Sequence, residues 1–156
     1  MSTTATPSGS GPREETHTLF AFRLGRDLFL VPAEAVVAVI ATESPAPLPR
    51  VPVHVLGLVN HDHRALAVLD LARFLGRTDA AEGERPRTLV LRGGDATVGV
   101  PVTPALGVVV VVDSAVRAGS GVFGPQVGEV LRGECETPHG AGAWLDLVRV
   151  LEAARV

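Results

Sequence analysis

The chain predicts a mainly β fold. Its apolar residues, 46% of 156, fall in short runs separated by glycine, proline, asparagine and aspartate. Valine is prominent in those runs, and β-branched side chains suit a half-buried pleated surface. The 17 glycines and 12 prolines supply the tight turns that many short strands require. So large an apolar share marks a packed protein, and the length suits one domain or two small lobes around a shared core.

Order is expected from near Thr18. Leu19 to Leu24 forms a strand, Gly25-Arg26-Asp27 a turn, and Leu28 to Val31 the returning strand. Pro32 suits the start of a short helix or turn. Val36, Val37 and Ile40 have helical spacing, but the valine content favours strand almost equally, so this region reads as mixed. Ser44 to Pro52 carries four prolines and reads as an extended connector, because proline cannot donate to a central ladder. Val55 to Val59 and Ala65 to Leu71 flank five polar residues, the pattern of an antiparallel hairpin. Asn60 tolerates left-handed backbone angles and Asp62 can bond turn amides, so both are expected in its turn. Leu71, Phe74 and Leu75 then share a helical face, and Gly76 stops it.

Asp79 to Pro86 is charged and lacks large apolar residues, which places a lobe boundary near 77–87. Arg87 to Arg92 and Ala96 to Val102 form a second hairpin around Gly93-Gly94-Asp95. Val108 to Val112 are five consecutive valines, which reads as a strand buried on both faces. After a glycine-rich loop, Gly119 to Gly128, a strand starts at Val130 to Gly133. His139 to Gly142 turns it, and Ala143 to Leu145 returns. Asp146 caps a closing helix whose face includes Leu147, Val150 and Leu151.

Composition also narrows function. The net charge is −3, and all 14 basic residues are arginines, scattered along the chain. With aromatic residues at 4% there is neither a basic stripe nor a stacking platform, so no nucleic-acid partner is expected. The single cysteine, Cys135, excludes an internal disulfide and fits a reducing cytoplasm. Residues 1–17 lack the features of a signal peptide and read as a disordered tail. The longest nearly apolar window, Val98 to Val112, is broken by Gly99, Pro101, Pro104 and Gly107. It is too short to span a bilayer, so no direct membrane insertion is expected.

The sharpest chemical candidate is the group His54, His61, Asp62 and His63. In an extended strand His61 and His63 would point to one face, and imidazoles bind zinc, copper or nickel. No H-E-x-x-H motif or cysteine pair supports a metalloenzyme. Asp70 and Asp146 precede apolar helical segments, where capping is the ordinary role. Glu34, Glu43, Glu129, Glu134 and Glu136 are scattered and suit solvated faces. Ser120 lacks a nucleophile elbow, and the glycine clusters lack the lysine of a phosphate loop. No catalysis and no cofactor are expected.

The stretch Val51 to Gly76 carries a recognisable order: G-x-x-N, a short tip, then an apolar run into D-L-x-x-x-L-G. Through Gly57, Asn60, Val68, Asp70, Leu71 and Gly76 it resembles the signature hairpin of CheW-like domains, the coupling domains of bacterial chemotaxis-type signalling. Val98-Gly99-Val100, Leu131-Arg132-Gly133 and Leu145-Asp146-Leu147 resemble later elements of that family. The likeness extends over the region from residue 18 to residue 155. The family follows the asparagine with Leu-Arg-Gly and places a proline before the valine, where this chain has His61, Asp62, His63 and Ala67. Its V-D-x-V becomes Val102-Thr103-Pro104-Ala105.

The resemblance implies two small five-stranded SH3-like barrels sharing a core, with short helices and a C-terminal helix. It implies a cytoplasmic, non-catalytic adaptor at membrane-associated receptor arrays, coupling chemoreceptors to a CheA-type histidine kinase. The implied partners are the regulatory domain of that kinase, the cytoplasmic tip of a chemoreceptor and other CheW-like domains. The implied partner-binding residues are Gly57, Asn60, His61, Asp62, His63 and Arg64, with Asp62 in the place of the partner-binding arginine. That reversal of charge gives one alternative, an accessory adaptor that binds receptor or array without kinase. A second alternative is a metal-binding protein using His61 and His63, with His54 nearby.

Overall fold

Turn residues set the strand ends throughout. The computed structural model describes residues 14–77 and 86–155. Gly25, at φ 63°, reverses β1 (Thr16–Leu24) into β2 (Asp27–Pro32). Pro32 leads into a 3₁₀ turn, Ala33–Ala35, and the chain enters β3 (Val36–Ala41). Strand wins over helix in that mixed segment because four β-branched residues, Val36, Val37, Val39 and Ile40, disfavour a helix and a neighbouring strand is available to pair with. The next hairpin is β4 (Val55–His61) and β5 (Arg64–Leu69), followed by the one-turn helix α1 (Leu71–Phe74). β6 (Arg87–Gly93) and β7 (Ala96–Val102) turn around Gly94, at φ 61°. β8 (Ala105–Val112), β9 (Val116–Arg117) and the one-turn α2 (Pro125–Gly128) come next. A last hairpin, β10 (Leu131–Thr137) and β11 (Gly140–Leu145), leads into α3 (Leu147–Ala154).

The two expected β lobes are a six-stranded sheet, β8-β1-β2-β11-β10-β9, and a five-stranded sheet, β3-β6-β7-β5-β4. Neighbours are antiparallel except β2 with β11 and β5 with β7. The first and last hairpins thus share one sheet, and the middle of the chain forms the other. The chain crosses between sheets at the 3₁₀ turn and again between β7 and β8. The segment 77–87, the expected lobe boundary, joins α1 to β6 within the five-stranded half, and residues 78–85 lie outside the described residues. Of the expected tail, residues 1–13 lie outside them too, while β1 already begins at Thr16.

One core packs the two sheets together. Phe22, Phe29 and Leu145 of the six-stranded sheet meet Leu69, Leu89 and Leu91 of the other. α3 closes this core with Leu147, Val150, Leu151 and Ala154. Each large side chain there contributes about 1.5–3 kcal/mol by leaving water. The opposite face of the six-stranded sheet holds a second cluster, including Leu19, Leu28, Leu30, Val109, Val111, Cys135 and Trp144. β2 is therefore buried on both faces, which explains its unbroken apolar run.

The valine run does not form the strand buried on both faces that its composition suggests. β8 lies at the end of its sheet, so only Val109 and Val111 reach the second cluster. Val108 and Val110 remain 60% and 62% exposed. Among the described residues no helix is long and apolar enough to cross a membrane.

Candidate functional site

The hairpin of β4 and β5 projects its tip from the end of the five-stranded sheet. His61 pairs with Arg64, which leaves Asp62 and His63 as a two-residue turn. Both have left-handed backbone, at φ 52° and 62°, the pattern of a type I′ turn whose twist matches the flanking strands. This corrects the five-residue turn expected from polarity. Asn60, expected in the turn, lies in β4 opposite Ala65. Each residue added to the ladder pairs its backbone groups, and a tip of two residues suffices to reverse the chain. A histidine at a left-handed position costs about 1 kcal/mol relative to glycine, which the family pattern has in the place of His63. Asn60, Asp62, His63 and Arg64 are exposed, and His61 is half-buried.

Gly57 positions the base of this hairpin. Its φ is 142°, and a Cβ built there would lie 2.1 Å from the carbonyl oxygen of Ala46. The proline-rich connector passes across β4 at this point: Ala46 and Leu58 exchange two backbone hydrogen bonds of 2.8 Å each. Only glycine lets the connector approach so closely. Because β4 is an edge strand, the bridge covers part of its free side, and Asn60 lies two residues further along the same side.

His54 has a different task from the one its type suggested. It lies before β4, not on it. Its Nε2–H donates to the backbone oxygen of Ala154 at 2.8 Å, and its ring packs edge-on against Phe74 at 4.9 Å. His54 thus ties the hairpin base to the end of α3. From His54 to His61 the chain runs about 23 Å if extended. His61 and His63 flank Asp62 in a left-handed turn, so the alternation that would align them on one face does not apply. The structure brings neither these two nor His54 into a three-ligand group. Among the described residues, the ligand atoms that do converge belong to Glu15, His17 and Asp113.

Asp70 and Asp146 are helix caps as expected, accepting from the amides of Arg73 at 3.1 Å and Arg149 at 3.2 Å. Two polar anchors are not visible from spacing. Arg77 donates to the Asp27 carboxylate at 2.5 Å and to the backbone oxygen of Phe123 at 2.6 Å, joining the end of α1 to β2 and the glycine-rich loop. Glu134 is buried instead of solvated, accepting from the amide of Ser120 at 2.8 Å and from its hydroxyl at 3.0 Å. Cys135 is also buried, and desolvation pushes its thiol pKa up against the lowering influence of Arg117. That environment disfavours the reactive thiolate.

The CheW-like domain family matches residues 18–155. Protein FrzA of Myxococcus xanthus is 39% identical over 88 residues, which cover 56% of this chain and 55% of FrzA. The match spans about half the length of that relative. The scaffolding protein TtCheW from Thermoanaerobacter tengcongensis has a similar structure, with a TM-score of 0.74 and 16% identity over 92% of this chain and 91% of that one. At that identity the likeness shows the shared fold.

Proposed function

The chain belongs to the CheW-like domain family, and from that premise we propose that it is a non-catalytic adaptor of a chemosensory signalling array. In this reading it couples chemoreceptors to a CheA-type histidine kinase. The observation that carries the proposal is the β4–β5 hairpin: a polar tip at Asp62 and His63 on an edge strand, with the connector bridged to its base beside Gly57. A strand edge of this kind recognises partners through backbone hydrogen bonds and selects among them through side chains at its tip.

A second reading follows from the charge of that tip. Asp62 is exposed where the family pattern has an arginine. An arginine fork attracts carboxylates, whereas aspartate repels them. The protein would then be an accessory adaptor that binds receptor or array and engages the kinase weakly. Co-purification of the full chain with a chemoreceptor cytoplasmic tip, and separately with the kinase regulatory domain, distinguishes the readings. Capture by both supports coupling, and capture by the receptor alone supports the accessory role. Capture by neither overturns both.

A further inference from the structure

Three residues of metal-binding type meet where β1 begins and β8 ends. Glu15, His17 and Asp113 each offer one ligand atom, and these lie within 4.8 Å of one another. His17 is the second residue of β1, and Glu15 immediately precedes that strand. The amide of Asp113 donates to the backbone oxygen of Glu15 at 2.7 Å, which sets the aspartate across from the glutamate. The diagonal is closed by His17 Nε2 and Asp113 Oδ1, 2.8 Å apart.

Two contacts flank these donors. The His17 ring packs on Trp144 with centroids 4.8 Å apart. Ser114 donates its hydroxyl to the carboxylate of Glu14, linking the next residue on each side. A cavity of about 530 Å³ opens beside His17, lined also by Thr16, Glu34, Arg132 and Trp144. Glu15 and Asp113, which do not line that cavity, are exposed, so coordination positions not filled by the protein open to water.

We propose that Glu15, His17 and Asp113 bind a divalent transition metal of the zinc or cobalt type. One imidazole nitrogen with two carboxylate oxygens is a borderline donor set suited to such ions, whereas calcium and magnesium take oxygen alone. Tetrahedral bonds of about 2.0–2.2 Å space donors roughly 3.4 Å apart, so His17 Nε2 and Asp113 Oδ1 open from 2.8 Å while any wider separation, none above 4.8 Å, closes. The ion takes the place of the hydrogen bond between His17 and Asp113 and needs the imidazole nitrogen that binds it to be free of a proton. Bound there, it clips the start of β1 to the edge strand β8. The site is separate from His54, His61 and His63, which contribute no atom to it.

The chain's single tryptophan, Trp144, lies against the proposed ligand and reports on it directly. Cobalt(II) titrated into the full chain, prepared without a histidine tag, should quench Trp144 emission saturably, and zinc(II) should reverse the quenching by competition. Asp113→Asn and Glu15→Gln should each shift the midpoint at least tenfold to higher cobalt, with emission maxima and circular dichroism confirming the fold. The His61→Ala/His63→Ala double variant should titrate like the unaltered chain. Absence of saturable quenching in the unaltered chain would overturn the proposal without recourse to any variant. So would midpoints unchanged by both carboxylate substitutions, or quenching abolished by the double variant at the hairpin tip.

Discussion

Two edge strands of this protein meet solvent in opposite ways. β4 ends the five-stranded sheet and β8 ends the six-stranded one. β4 is bulged between Val55 and Gly57, bridged by Ala46 and terminated by a polar turn. Bulges, covering segments and charged ends are common devices against unwanted strand pairing. β8 has none of these along its valines. It relies on strict alternation, with Val109 and Val111 inside and Val108, Val110 and Val112 outside. One edge is thus bulged and partly covered, and the other presents alternate valines to solvent while its inner valines pack against the sheet.

The contrast predicts a graded set of stability effects, all readable as changes in the midpoint and slope of denaturant unfolding. Gly57→Ala should be the most damaging, by about 2–4 kcal/mol, because its Cβ would strike the Ala46 carbonyl at a position of positive φ. A loss under about 0.5 kcal/mol would mean that the connector does not rest on β4. Val109→Thr should cost about 1–3 kcal/mol, since it places a hydroxyl in the second cluster. His63→Gly should stabilise the protein by about 1 kcal/mol by relieving the left-handed backbone. Val110→Thr, one residue from Val109 and facing solvent, should change stability by less than about 0.5 kcal/mol. Equal effects at 109 and 110 would erase the alternation on which the comparison rests.

The same contrast explains what was legible in the sequence. The first three hairpins were readable, because Gly25, Gly94 and the polar tip at 60–64 interrupt apolar runs with residues suited to turns. In the last, the turn expected over His139 to Gly142 closes earlier, with Gly140 to Gly142 already in β11. Asp70 and Asp146 were readable as caps because each directly precedes a helical pattern. The phase of Val108 to Val112 was not, since five identical residues carry no alternation to say which faces inward. The tip register was misjudged because Asn60 accepts left-handed geometry more readily than His63, yet ladder pairing decided the outcome. Glu134, Arg77 and His54 were beyond local reading. Their partners, Ser120, Asp27 and Ala154, are respectively 14, 50 and 100 residues away. The convergence of His17 with Asp113 spans 96 residues and was equally hidden, all the more because residues 1–17 read as a tail.

In the proposed reading, the tip of the β4–β5 hairpin selects the partner. Calorimetric titration of the kinase regulatory domain into the unaltered chain and into Asp62→Arg tests it most directly, with a receptor tip titrated in parallel. Asp62→Arg should tighten kinase binding about tenfold or more, a gain of roughly 1.4 kcal/mol, and leave receptor binding unchanged. Kinase affinity that does not respond to this reversal of charge would contradict that reading.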